Sequence, residues 1–195
     1  MRPSVNLEQM PYSLNSQNVA DATLAWLDQR GVVPRDIAEL VLLLQQKYFP
    51  DLTVEECETH VVQVLQKREV QNAVLTGIQL DLLSEQRALL APLQDMVQHD
   101  ESLYGVDEIL AFSIINVYGS IGFTNYGYID KLKPGILAKL NDPTDGRIHT
   151  FLDDLVGAIA AAASSRIAHR KQAEHEQQPE ENAMLEGYGN PAAIP

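Results

Sequence analysis

Phe151-Leu152-Asp153-Asp154-Leu155-Val156-Gly157-Ala158-Ile159-Ala160-Ala161-Ala162-Ala163 is the stretch whose reading decides the fold. Alanine and leucine favour helix, and nothing here alternates as a half-buried strand would. Apolar residues lie on every side of the helix, which places it inside a protein rather than on its surface. Its small side chains let neighbouring backbones approach closely. The pattern predicts a helix from about Thr150 to Gln172 at the centre of a bundle.

Two carboxylates sit in this apolar setting. Adjacent helical positions are about 100° apart, so at least one of Asp153 and Asp154 faces the core or its rim. Two carboxylates close together in a low-dielectric site repel and take up protons unless a cation joins them. The plainer reading is that first-turn carboxylates complement the positive end of the helix. A second apolar helix, from about Asp107 to Ile121, also opens on a double acid, Asp107-Glu108, with Asp107 the expected N-cap. If the two starts converge, four carboxylates face one spot, and magnesium and calcium prefer such oxygen ligands.

The uncharged run Ile109–Ile129 is 21 residues long, the length of a membrane span. Ser113, Asn116, Ser120, Thr124 and Asn125 would each cost free energy in hydrocarbon, so a buried helix followed by a turn is expected instead. The rest of the chain also reads as helix. One runs from Ser16, a candidate N-cap, to Gly31, a candidate C′ residue, and one from Pro34 to Tyr48. Another follows the Thr53-x-x-Glu56 capping box. Further pieces span Arg68–Leu83, Ser84–His99 with a break near Pro92, and Tyr128–Leu140, which Pro134 bends or restarts. Asn141 to Gly146 is a turn cluster. The expected fold is all-α: a compact multi-helix bundle with a buried central helix rich in small residues. Residues 1–172 form one domain in this reading, and the polar 173–195 form a flexible tail.

Composition limits function. The net charge is −13 and the pI about 4.6, so phosphate backbones are repelled and nucleic-acid binding is not expected. Anionic lipid is disfavoured too, unless a cation mediates the contact. Cys57 is the single cysteine, and its i, i+3 spacing from His60 does not make a zinc site. No apolar stretch follows Arg2, so a cytoplasmic protein is expected.

A third group is Asp130-Lys131-Leu132-Lys133-Pro134-Gly135. It sets a carboxylate three residues before an ammonium, and lysine is a good point charge for a phosphate oxygen. The plainer reading is a surface salt bridge. Taken in order, Gly105-Val-Asp-Glu-Ile-Leu-Ala-Phe, Tyr128-Ile-Asp-Lys-Leu-Lys-Pro and Gly146-Arg-Ile-His-Thr-Phe-Leu-Asp-Asp-Leu-Val-Gly-Ala resemble the motifs of phosphatidylglycerophosphatase A. These are a D-E pair opening a helix, a D-x-x-K-P element, and a glycine turn before a D-D helix. The resemblance covers residues 105–168 and points to the family's soluble all-helical branch. The chain departs from the membrane-integral members in having Gly127 where they carry arginine and in lacking their S-P-x-x-P-G-T motif.

The resemblance implies magnesium-dependent hydrolysis of a phosphate monoester, with Ca²⁺ or Mn²⁺ as other candidate ions. It assigns Asp107, Glu108, Asp130, Asp153 and Asp154 to the metal, and Asp130, Lys133 and Asp154 to catalysis. Lys133, Gly146 and His149 are the implied substrate contacts. The implied partner is phosphatidylglycerophosphate or another lipid or soluble phosphomonoester, with at most peripheral membrane contact; a homo-oligomer stays open. The alternative is a non-catalytic acidic helical module that keeps these carboxylates as a structural cation site.

Overall fold

A computed structural model describes residues 15–142, 144 and 146–187, with side chains to Glu176. The elements are α1 (Ser16–Gln29), α2 (Pro34–Gln45), α3 (Val54–Leu65), α4 (Arg68–Glu85), α5 (Leu93–Gln98), α6 (Val106–Ile115), a 3₁₀ turn (Asn116–Tyr118), α7 (Gly119–Leu132), α8 (Ile136–Leu140) and α9 (Leu152–Gly187). No strand occurs among the described residues, so the all-α expectation holds.

The early helices begin and end by local chemistry. Asn15, rather than Ser16, caps α1 by accepting from Gln17 N at 2.8 Å. Gly31 follows the helix at φ +80°, the left-handed C′ position that glycine fills without strain. Pro34 opens α2. The Thr53/Glu56 capping box closes reciprocally, at 3.2 Å to Glu56 N and 3.1 Å from Thr53 N.

α9 is the axis of the bundle. Every residue from Phe151 to Ser165 is buried, and α2, α3, α4, α6, α7 and α8 all pack against it. Gly77 of α4 makes one of these approaches possible. A Cβ there would collide with Leu155 Cδ1 and stand 2.9 Å from Phe151 Cβ. Beyond the core α9 continues to Gly187, past the expected end near Gln172. Its next turns carry helix-favouring residues and i, i+4 pairs, Arg170 to Glu174 at 2.8 Å and Gln172 to Glu176 at 2.9 Å. The expected tail beyond Gly187, and Pro143 and Asp145 of the turn cluster, lie outside the described residues.

The middle of the chain departs from expectation in detail. Gly105 at φ +61°, not Asp107, is the residue before α6, so Asp107 lies inside the first turn. The apolar run bends at Asn116–Tyr118, and Gly119 at φ +70°, ψ −161° turns the backbone into α7. Val106–Leu132 is long and apolar enough, by length and composition, to cross a membrane. The expected buried helix is only partly so: Ala111, Ile114, Ile115, Tyr126 and Ile129 of this stretch are buried, with α6 and α7 both packed on α9, whereas Ile109, Val117, Phe123, Tyr128 and Leu132 are exposed.

Candidate metal and phosphate site

The start of α9 is held from outside the helix. A helix N-terminus leaves backbone N–H groups without intrahelical partners. Asp81 of α4, fully buried, accepts from Phe151 N and from Leu152 N, both at 3.1 Å. One turn further along α4, Glu85 accepts from Ile148 N at 2.9 Å and pairs with Arg30 at 2.8 Å. Arg30 donates to Ile148 O at 2.7 Å and lies 3.1 Å from His149 Nδ1. Thr150 donates to Val97 O at 2.7 Å. Five long-range contacts therefore fix the segment that carries Asp153 and Asp154. Burial pushes the Asp81 pKa well up, against its two backbone bonds and Arg30.

Lys133 ends α7 in the left-handed region, φ 45°, ψ 51°. Pro134 disfavours helical backbone at the residue before it, and a non-glycine residue in this region stores strain. The conformation brings the ammonium back to 2.7 Å from Asp130 Oδ1, 2.6 Å from Asp153 Oδ2 and 3.6 Å from Asp154 Oδ1. Burial works against the charge, but Asp153 and Asp130 overcome it and hold the Lys133 pKa above its ordinary value. Asn141, directly after α8, donates to Asp153 Oδ2 at 2.8 Å.

The five acids proposed from sequence divide into two sets. Asp130 and Asp153 belong to the ammonium. Asp107, Glu108 and Asp154 each present an oxygen to one small space, the three lying within 4.8 Å of one another. Asp107 and Asp154 are buried, and Glu108 Oε2 is a buried oxygen with no hydrogen-bond partner. Burial first, then Asp153, pushes the Asp154 pKa up to about 8. Burial and the neighbouring Glu108 push Asp107 up to about 7. The Tyr126 phenol, itself raised by burial and by Asp154, lies beside Asp154. Buried, mutually repelling oxygens with an orphan among them are a donor set that fits a hard divalent cation.

The five acids, Lys133 and Asn141 line a pocket of about 320 Å³ with Asp100, Glu101, Ser102, Gly105 and Thr150. His149 falls in an adjoining hollow of about 210 Å³ that shares Asp100, Asn141, Thr150 and Asp153 as its wall. Gly146, φ +74°, has nothing near its Cβ position and lines neither. Asp81, Arg30, Asp100, Asn141 and Tyr126 escaped the sequence reading. Asp81 alone carried a signal there, as an acid between Ile78-Gln79-Leu80 and Leu82-Leu83.

The phosphatidylglycerophosphatase A family model matches residues 23–169. The Bacillus subtilis (strain 168) protein YutG is 69 % identical over 146 residues, covering 75 % of this chain and 88 % of that protein. YpjQ of the same organism is 55 % identical over 161 residues, covering 83 % and 89 %. Both are described as uncharacterized proteins. The low temperature requirement C protein of Listeria monocytogenes superposes with a TM-score of 0.79 at 63 % identity, covering 81 % of this chain and 99 % of that one. A Bacillus stearothermophilus protein of unknown function gives 0.76 at 66 %, covering 77 % and 94 %. With its motifs in order and the match spanning most of its length, the chain belongs to the phosphatidylglycerophosphatase A family.

Proposed function

We propose that the protein is a divalent-cation-dependent phosphatase acting on phosphatidylglycerophosphate or a related phosphomonoester. The observation that carries this reading is the three-oxygen cluster of Asp107, Glu108 and Asp154 beside the Lys133 ammonium. The pocket walls hold seven carboxylates and one ammonium, a field that repels a phosphate dianion. A cation held at this cluster would offset that field locally and so admit a phosphate. Asp107, Glu108 and Asp154 would hold the ion, with Mg²⁺ first and Ca²⁺ or Mn²⁺ as substitutes. Such an ion supplies a Lewis acid for the phosphate oxygens and lowers the pKa of a bound water.

The chain's own groups do the rest. Lys133 carries the pocket's positive charge and neutralises a phosphoryl oxygen or the leaving oxygen. Asp130 and Asp153 keep that ammonium charged and aimed, and Asn141 fixes Asp153. Asp154, whose pKa burial raises, would have to release its proton to serve as a ligand. Hydrolysis joins a water oxygen to phosphorus, breaks the ester P–O bond, and returns a proton to the departing alkoxide.

The family's lipid substrate favours phosphatidylglycerophosphate within this class. The test is phosphate release from phosphatidylglycerophosphate micelles and from soluble phosphomonoesters, each with Mg²⁺ and with chelator. Mg²⁺-dependent release from any of them supports the reading. Absence of release from all, with Mg²⁺ still bound, replaces it with a non-catalytic cation site.

A further inference from the structure

A second hollow, of about 410 Å³, shares no lining residue with the acidic pocket and has the opposite character. His60 of α3, Tyr118 of the 3₁₀ turn, and Arg166, His169 and Arg170 of α9 line it. In a chain of net charge −13, this clustering of bases is unexpected. Arg166, His169 and Arg170 fall at i, i+3 and i+4 on one helix face, where like charges oppose the helix. Lys67 adds its ammonium 4.6 Å from the centre of the Tyr118 ring.

Both arginines are tethered by Nε alone. Arg166 Nε donates to Gln63 Oε1 and Arg170 Nε to Glu174 Oε1, each at 2.8 Å. Their Nη groups have no protein partner among the described residues. A guanidinium held in this way presents its outer donors as a fork for an oxyanion. Behind them His60 is 6 % exposed with Nδ1 buried and unpartnered, and Tyr118 Oη is likewise buried without a partner. Burial, reinforced by Arg166 and Arg170, holds the His60 pKa below its ordinary value. Of the acids on this side, Glu174 engages Arg170 and Lys171, and Glu56 acts on His60. Two guanidinium forks, each tethered through Nε and lining one hollow, are what an anion site needs and a freely solvated basic surface lacks.

We propose that Arg166 and Arg170, backed by His60, form a binding site for a phosphate-type oxyanion, separate from the acidic pocket. The source is a free phosphate or a lipid phosphate head group, and the two are distinguished by parallel arms of one experiment. Full-length protein in chelator, at constant ionic strength, is titrated calorimetrically with inorganic phosphate and pyrophosphate, and is sedimented with phosphatidylglycerol vesicles. Wild type is expected to saturate in at least one arm. Arg170→Gln, at a side chain 64 % exposed and so harmless to folding, should weaken that binding about tenfold, as for one charge-assisted contact. Arg166→Gln with Arg170→Gln should abolish it, while Lys133→Ala should leave it intact. The proposal is overturned if wild type binds in no arm, if Arg170→Gln binds as wild type does, or if Lys133→Ala removes the binding.

Discussion

Replacing Asp81 by alanine tests how the site is built. The side chain is fully buried and accepts from Phe151 N and Leu152 N, each at 3.1 Å. Alanine leaves both N–H groups buried and unpaired, at roughly 1–3 kcal/mol each. Removing a carboxyl whose pKa burial has raised returns part of that cost. The net loss is about 2–4 kcal/mol, above the ~1 kcal/mol typical of an exposed N-cap. For a chain of 195 residues this lowers Tm by about 4–16 °C. Urea unfolding of both proteins gives the difference directly, provided the slope is unchanged. Asp81→Asn retains one acceptor oxygen and should fall between the two. Because Asp153 and Asp154 follow the capped residues directly, Asp81→Ala should also weaken Mg²⁺ binding at temperatures where it remains folded. Unchanged unfolding of Asp81→Ala would refute the claim that α4 caps α9.

Glycine substitutions should have opposite signs. Gly77→Ala drives a methyl into Leu155 and Phe151 and should cost about 1–3 kcal/mol, whereas Gly127→Ala, with nothing near, should stabilise by about 0.5–1 kcal/mol in thermal melts. Lys133→Gly and Lys133→Ala should each lower phosphate release by roughly 10²-fold. Glycine should nevertheless be about 1 kcal/mol the more stable of the two, because φ at this position is 45°. Asp154 and Asp107 bind protons more tightly folded than unfolded, with pKa values raised from 3.8 to about 8 and about 7. The metal-free protein should therefore lose stability as pH rises from about 4 to 8. Glu85, held low against its own burial by Arg30 and the Ile148 N–H, works the other way at the acid end. Saturating Mg²⁺ should restore stability at pH 8, and a flat profile in chelator would contradict the burial of these acids.

What the sequence disclosed depended on the range of the interactions. Local signals were legible: the Thr53/Glu56 box, Pro34, Gly31 and the all-round apolarity of 151–163 each act within a few residues. The motif acids were legible by resemblance, and all five reach one pocket. Their division between Lys133 and the three-oxygen cluster was not, because it depends on the left-handed backbone at Lys133 and on where α6 meets α9. Asp107 was misplaced as an N-cap since Gly105 reaches φ +61°, which a one-dimensional pattern of acids does not reveal. A turn within the uncharged run was legible from its polar residues and glycines, but its place at Asn116–Tyr118 was not. Arg30 and Asp81 act across 118 and 70 positions of sequence, and nothing beside them names their partners.

The central claim is that Asp107, Glu108 and Asp154 hold a catalytic cation next to Lys133. Its most direct test is the rate of phosphate release from phosphatidylglycerophosphate micelles as Mg²⁺ is titrated, for wild type and Asp154→Asn. Wild type should show release that saturates with Mg²⁺ and vanishes in chelator. Asp154→Asn should need far more Mg²⁺ and fall by about 10²-fold or more at any concentration. Release by wild type that ignores Mg²⁺, or an Asp154→Asn titration that overlays wild type, would contradict the account.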